Sequence, residues 1–150
     1  MPEAHAVGLA AGYGLQRLRP WSLPGRRSVH HVLGWTFMGA GGYLIVRSVR
    51  SAARVDLARP ERLVTGYPYS ISRNPMYLGW ALLHLGVGLA ASCGWIIAVL
   101  PVTAAWMDLD IRREERRLAG AIGPEYERYR AAVPRHLAVS SLSRLPRRPT

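Results

Sequence analysis

The chain has 150 residues, of which 49% are apolar, and its formal net charge of +11 comes from Arg alone because Lys is absent. The length predicts one domain, 1–150. Its single cysteine, Cys93, cannot form an internal disulfide, and no Cys/His spacing indicates a metal site. The positive charge favours phospholipid head groups over nucleic acid, because no nucleic-acid-binding module is recognisable and the Trp and Tyr residues mostly lie in or near apolar blocks.

Two apolar segments precede the middle of the chain. Residues 4–15 are apolar but short and rich in Gly and Ala, so a partial or shallow membrane segment and a full crossing both remain open. Residues 28–46 carry no formal charge and contain large apolar side chains. A transmembrane helix needs roughly 20 such residues, so we predict a span at about 28–47.

The longest uncharged block runs from Asn74 to Met107, 34 residues in all. It is too long for one straight crossing, and the small residues 91–94 can form a tight turn near its middle. We therefore predict spans at 76–91 and 94–107. A buried hairpin in a soluble bundle is the alternative, but the remaining chain has too little apolar surface to cover it. The predicted fold class is all-α, a multi-span integral membrane bundle with a transmembrane hairpin.

The charged residues predict the orientation of this bundle. Residues 47–73 hold six Arg and the region after Met107 holds ten, whereas residues 17–27 hold four. A hairpin places the first two regions on one side, and the positive-inside rule assigns that side to the cytoplasm, as in a bacterial-type cytoplasmic membrane.

The region after the hairpin is predicted to be a cytosolic surface structure. Residues 108–117 have the pattern of a charged helix that leaves the membrane, and Gly123-Pro124 is expected to end it. Residues 125–130 begin another surface segment. The small, polar and basic residues 136–150 predict a loosely ordered tail.

Two polar clusters flank the hairpin, and a hairpin returns both of its ends to one face. They can therefore converge on a pocket at the level of the lipid head groups. Carboxylates suit a cationic or hydroxyl-rich ligand, and Tyr rings suit a sulfonium or a flat heterocycle. S-adenosylmethionine has these parts, but the residue types permit this cofactor without selecting it. The clusters are Tyr67, Tyr69, Arg73, Asn74 and Tyr77 before the hairpin, and Glu114, Glu115, Tyr126 and Tyr129 after it.

Each of these groups also has a purely structural interpretation. Asn74 can cap a helix that starts at Pro75, and Glu114 and Glu115 can belong to a solvated ion-pair lattice with the neighbouring Arg side chains. The Tyr residues can be interfacial anchors. His84, alone in an apolar segment, is more typical of a hydrogen-bonded packing residue than of a metal ligand.

The ordered combination of motifs over residues 61–135 nevertheless resembles the isoprenylcysteine carboxyl methyltransferase family, which belongs to a wider membrane group that includes the phospholipid methyltransferases. Members of this family are multi-span helical proteins that bind S-adenosylmethionine in a cytosol-facing pocket and admit a lipophilic acceptor from the bilayer. The motifs are Leu63-Val64-Thr65-Gly66, Tyr69, Arg73-Asn74-Pro75-Met76-Tyr77-Leu78-Gly79, Glu114-Glu115, Leu118, Gly123, Tyr126, Tyr129 and Val133-Pro134.

The resemblance implies a set of cofactor contacts and no metal. Glu114 would bind the polar part of the cofactor with support from Glu115. The other implied cofactor contacts are Arg62, Leu63, Val64, Tyr69, Asn74, Pro75, Met76 and Tyr77.

Two positions depart from the family pattern. Asn74 stands where the family usually has His, and an amide cannot titrate. Asp110 stands where the eukaryotic enzymes have a substrate-contacting Arg, which Arg112 or Arg113 could replace as substrate-binding residues.

The resulting expectation is an S-adenosylmethionine-dependent methyltransferase that acts on a carboxyl or other O- or S-type group of an isoprenoid or lipid-like molecule. Arg73 is the candidate catalytic residue, because it could orient an acidic acceptor. No base stands out among the motif residues. A phospholipid amine N-methyltransferase and a non-catalytic membrane assembly or lipid-binding protein are the alternatives.

Overall fold

The computed structural model describes residues 3–52 and 64–136. Within these ranges the regular structure is helical, which confirms the predicted all-α class, and the only bridge pairs Ser22 with Cys93. The five helices are α1 (Glu3–Leu18), α2 (Arg27–Ala52), α3 (Pro75–Ala90), α4 (Gly94–Ile122) and α5 (Pro124–Ala132).

Helix α2 packs against α3, α3 packs against α4, and α4 packs against α1. The two helices of each pair are antiparallel. The α2–α3 contact is so close that a Cβ atom added to Gly34 would lie 2.5 Å from the backbone nitrogen of Ala90. On α1, an added Cβ at Gly12 would lie 2.8 Å from the Cα atom of Ile96 on α4. Small residues at helix contacts are typical of helices that associate in lipid. This arrangement brings the start of α3 and the end of α4 to the same end of the bundle.

The predicted turn between the two hairpin helices is present. Helix α3 ends at Ala90 and α4 begins at Gly94. Ser92 adopts a left-handed conformation with a φ of 50°, which lets the chain reverse within three residues. Cys93, one of the small residues of the predicted turn, is buried directly before α4.

The helices extend beyond the predicted spans. Helix α2 runs from Arg27 to Ala52, and α4 is one continuous helix of 29 residues, so the charged segment 108–117 continues the helix that begins at Gly94. At this junction Asp108 pairs with Arg112 one turn later at 2.6 Å, a spacing that favours the helix. Gly123, with a φ of 69°, then ends the helix before Pro124, as predicted.

Many large apolar side chains lie on the outside of the bundle, and several polar side chains are buried inside it. Trp35 and Val102 are 65% and 71% exposed, whereas His84 and Ser48 are completely buried. By length and composition, α4 is the one described helix that could cross a membrane, and 28% of its most apolar window is buried inside the protein. The apolar helix α3, with 16 residues, is shorter.

Candidate functional site

The two polar clusters flanking the hairpin meet at one end of the bundle. The Tyr77 hydroxyl in the first turn of α3 donates a hydrogen bond to Oε2 of Glu114 on α4 at 3.4 Å, although 37 positions separate them in sequence. Antiparallel packing of α3 and α4 is what brings these side chains together. The predicted convergence of the residues near 70 and near 115 is therefore present.

Glu114 and Glu115 have different surroundings although they are consecutive. Glu114 is exposed, and Glu115 is 7% exposed. Oε1 of Glu115 lies 3.2 Å from Nη1 of Arg73, and its Oε2 lies 2.6 Å from Nη2 of Arg135. Glu115 is therefore the centre of a buried ion cluster, whereas Glu114 can reach a ligand.

The segment after α5 closes this ion cluster. The backbone N–H of Arg73 donates to the Pro134 carbonyl at 2.9 Å, and the Ser72 hydroxyl donates to the Arg135 carbonyl at 3.0 Å. The Asn74 side-chain amide also donates to the Arg135 carbonyl, at 3.3 Å. Residues 134–135 thus connect the segment that precedes α3 to the end of α4, through hydrogen bonds to the former and an ion pair with Glu115 on the latter.

Sequence reasoning missed Ser72 and Arg135 as members of the site. The available signal was their position, because Ser72 directly precedes the Arg73-Asn74 motif and Arg135 directly follows Val133-Pro134. Neither residue belongs to a periodic pattern. Only the contact between the two segments shows what each side chain does.

The other predicted site residues lie around this cluster. Asn74 precedes α3 as its N-terminal flanking residue, but its side chain makes no capping hydrogen bond. Pro75 is buried, and Val64, Tyr69 and Met76 are partly exposed. Predicted cofactor contacts at Arg62 and Leu63 lie outside the described residues.

The two predicted substrate-binding arginines lie on the exposed surface of α4. Arg112 pairs with Asp108, and Arg113 pairs with Asp110 at 3.2 Å. An open groove of about 480 Å³ runs along this surface, lined by Asp110, Arg113, Glu114, Arg117 and Leu118. Arg113 and Glu114 therefore border the same concave surface, which leaves both available to a ligand.

Three tyrosines attach α5 to this end of the bundle. The Tyr129 hydroxyl donates to the Tyr69 carbonyl at 2.7 Å, and Tyr126 is 2% exposed. Burial, followed by the nearby Glu114 carboxylate, raises the pKa of Tyr69. Burial, followed by the Glu115 carboxylate, raises the pKa of Tyr126. These hydroxyls therefore remain protonated in the folded protein above the pH at which a free tyrosine ionises.

The raised pKa of Tyr129 predicts a loss of stability in alkali. Burial raises this pKa above its ordinary value of 10.0, so the stability contribution of the protonated hydroxyl is complete below that pH and is lost as the pH rises through the folded-state pKa. Tyr129→Phe should cost about 1 kcal/mol at neutral pH through the lost hydrogen bond. As the pH rises from about 9 to 11, the Tm of Tyr129→Phe should fall less steeply than the Tm of the wild type.

The control is Tyr13→Phe, which changes a side chain that is 58% exposed, and its Tm should depend on pH as the wild type's does. The same slope of Tm against pH in all three proteins would contradict the prediction.

Among residues 3–52 and 64–136, no three or more His, Cys, Asp or Glu side chains are grouped so as to hold a metal ion. His84, considered from sequence as a packing residue or a ligand, is close to the Ile96 carbonyl oxygen and to the ring of His5. It therefore has hydrogen-bonding contacts inside the bundle.

Comparison with protein families identifies the wider group. Residues 29–123, well over half of the chain, match the family described as phospholipid methyltransferase. The chain belongs to the phospholipid methyltransferase family. This is the wider group named from the motifs, and it establishes a membrane-associated methyltransferase family with lipid-like substrates. No curated protein and no solved structure matches the chain.

The family match places part of the site within a shared region. It covers α2, α3 and α4, and so includes Arg73, Tyr77, Glu114 and Glu115. It ends at Gly123, before α5 and Arg135, and it begins after α1. The phospholipid methyltransferase region thus contains both partners of the Tyr77–Glu114 contact, while α1 and residues 134–135 lie outside it.

Proposed function

We propose that this phospholipid methyltransferase family member uses S-adenosylmethionine to methylate a carboxyl or other O- or S-type group of an isoprenoid or lipid-like molecule. The contact between Tyr77 and Glu114 carries the proposal, because it joins the two motif regions at the mouth of the apolar hairpin. When bound, the cofactor supplies an electrophilic methyl group on a sulfonium. The protein would hold the reactants in line and exclude water.

The donor set at the site fits this cofactor. Glu114 is an exposed carboxylate that can accept hydrogen bonds from ribose hydroxyls or from an ammonium group. The N-terminus of α3 presents N–H groups toward the same end of the bundle, where they suit a carboxylate. Tyr69 and Tyr77 add aromatic rings for the sulfonium or the adenine, and Val64, Asn74, Pro75 and Met76 are proposed as further contacts.

The buried Arg73 is better suited to support the site than to contact the substrate. Arg73 forms an ion pair with Glu115, and the side chains of both residues are 9% exposed. We propose that Arg73 and Glu115 position the start of α3, and that an acidic acceptor reaches Arg73 only by competing with Glu115. Arg112 and Arg113 are the exposed cations available to an acidic head group.

We also propose that α1 to α4 lie in the membrane with the site on the cytoplasmic side. The exposed apolar side chains of α2 and α4 support contact with lipid. The end of α2, the start of α3 and the end of α4 share one end of the bundle, and ten of the fourteen Arg residues in the described part of the chain lie at or next to these helix ends. Sealed inverted vesicles should methylate lipid from externally added cofactor, and sealed right-side-out vesicles should not.

Cofactor affinity provides the direct test of the site. Tyr77→Phe and Glu114→Gln should each weaken binding of labelled S-adenosylmethionine by about 10- to 100-fold, the loss expected when a hydrogen bond to a charged group is removed. Tyr13→Phe and Glu127→Gln change the same residue types at exposed positions and should bind as the wild type does. Absence of binding by the intact purified protein would instead favour a non-catalytic membrane protein.

The family also makes a phospholipid amine the second candidate acceptor. Membranes incubated with cofactor labelled in its methyl group distinguish the two reactions. Label that alkali releases indicates a methyl ester. Alkali-stable label indicates an ether or thioether when it remains on a lipid without an amine, and an N-methyl product when mass spectrometry finds it on the amine of a phospholipid head group. An N-methyl product would replace the O- or S-type acceptor by an amine and leave the cofactor site unchanged.

A further inference from the structure

Two histidines meet inside the bundle between α1, α3 and α4. Nδ1 of His5 lies 3.0 Å from Nδ1 of His84, and the two residues are 1% and 0% exposed. Nε2 of His84 lies 3.0 Å from the Ile96 carbonyl oxygen. Nε2 of His5 is buried and has no hydrogen-bond partner within the described part of the chain.

These contacts determine which nitrogen carries the proton in each neutral ring. A carbonyl oxygen only accepts, so Nε2 of His84 donates to Ile96 and Nδ1 of His84 keeps its lone pair. Nδ1 of His5 must then donate to His84, which leaves the lone pair of His5 on Nε2. The unpartnered atom is therefore a proton acceptor, and it can take a proton without breaking the bond between the two rings.

The pair lies on the same face of α3 as the proposed cofactor contacts. The Tyr77 side chain forms a hydrogen bond with Glu114, and the His84 side chain contacts the Ile96 carbonyl, so Tyr77 and His84 both face α4. The Trp80 ring stacks with the His5 ring at a centroid distance of 6.4 Å. Trp80 is three residues from Tyr77, roughly 4.5 Å of helix rise. His5 therefore lies about one helical turn deeper in the bundle than Tyr77, against the hairpin formed by α3 and α4.

We propose that His5 is the base that accepts the proton of the methyl acceptor, and that His84 is the residue that positions it. The inference rests on the proposed methyl transfer and narrows its acceptor to a hydroxyl or thiol on a lipophilic molecule. Such a group must lose a proton when it is methylated. A carboxylate has already lost its proton and needs no base.

The proton and electron balance of this step is simple. A lone pair of the acceptor oxygen or sulfur forms the bond to the methyl carbon, while the carbon–sulfur bond to the sulfonium breaks and its electron pair stays on that sulfur. The O–H or S–H proton passes to Nε2 of His5. The resulting imidazolium keeps a hydrogen bond from Nδ1 to His84, which is stronger once the donor is charged. The proton then leaves to water when the products depart.

The test compares two acceptors that share one tail. The full chain in phospholipid nanodiscs is given labelled S-adenosylmethionine with either a farnesyl-substituted phenol or the matching farnesyl-substituted benzoic acid. The wild type should methylate the phenol. His5→Asn keeps an N–H donor for His84 but offers no base, and it should lower phenol methylation by about 10²- to 10⁴-fold while cofactor affinity stays unchanged. His31→Asn, at an exposed position on α2, is the matched control and should retain activity.

Two further measurements separate a base from a packing residue. In His5→Ala, added imidazole should restore phenol methylation, because a small base can occupy the space left by the ring. In the wild type, nitrogen-15 NMR spectra of the imidazole rings should show that His5 carries its proton on Nδ1 and that its Nε2 is unprotonated. His84→Phe should lower kcat for the phenol with little change in KM, and imidazole should not restore it.

The outcomes that overturn the inference differ from those that overturn the proposed function. A wild type that binds cofactor but methylates only the benzoic acid contradicts the acceptor class. Undiminished phenol methylation in His5→Asn, or a loss that imidazole does not restore in His5→Ala, contradicts the role of His5 as base. A wild type that binds no cofactor contradicts the methyltransferase assignment itself, and this inference with it.

Discussion

Glu115→Ala is expected to lower the free energy of unfolding by about 3–5 kcal/mol, the cost of removing one partner from a buried charge cluster. The carboxylate lies between Arg73 at 3.2 Å and Arg135 at 2.6 Å. Its loss would leave two guanidinium groups, one of them largely buried, without their common counter-ion. Thermal unfolding of the detergent-solubilised protein measures the effect, and Tm should fall by several degrees.

The adjacent glutamate supplies the control for this variant. Glu114→Ala removes the same side chain one position earlier, at an exposed site, and should change Tm little while weakening cofactor binding. Replacing Arg73, Glu115 and Arg135 together by Leu should cost less than the sum of the single variants, because no buried charge is then unpaired. Equal Tm losses in Glu114→Ala and Glu115→Ala would show that the buried cluster does not stabilise the fold.

Gly34→Ala is expected to separate α2 from α3. The added Cβ would lie 2.5 Å from the backbone nitrogen of Ala90 and 2.8 Å from its Cα atom, and backbone atoms cannot move aside as a flexible side chain can. Overpacking of this kind costs about 1–3 kcal/mol. The measurement is again Tm in detergent, together with methyltransfer to lipid, which should fall as α3 moves.

Gly39→Ala in the same helix is the matched control. A Cβ at Gly39 would meet nothing within 4 Å, so this substitution adds a methyl group without a clash. Ala favours the helix over Gly by about 0.8–1.0 kcal/mol, so Gly39→Ala should raise Tm slightly while Gly34→Ala lowers it. A gain in Tm from both substitutions would mean that α2 and α3 do not pack as closely as described.

Local sequence patterns predicted much of the architecture. The uncharged blocks gave the positions of α2, α3 and the first half of α4, and the small residues 91–94 gave the turn between the hairpin helices. The predicted span 94–107 covers only the apolar half of α4, because hydropathy marks where an apolar segment ends and not where a helix does. The polar half of α4 continues the same helix and includes the i,i+4 pair of Asp108 and Arg112.

The sequence also predicted that the residues on both sides of the hairpin converge, but not the roles of individual side chains. Helical spacing places Glu115 on the apolar face of Ile111, Leu118 and Ile122, but it does not show which cations pair with that carboxylate. That depends on the rotation of α4 against α3 and on the return of Arg135, which follows α5. Such side-chain roles follow from the relative positions of packed helices.

The amino-acid sequence by itself determined the helical class, the division into apolar and Arg-rich segments and the likeness to membrane methyltransferases, because each is encoded in short-range periodicity, composition or ordered motifs. The tertiary structure alone decided that Glu115 binds two arginines and that His5 meets His84. The two histidines are 79 positions apart and lie on different helices. Their contact depends on how closely the glycines allow α1, α3 and α4 to approach, a distance that no local pattern specifies.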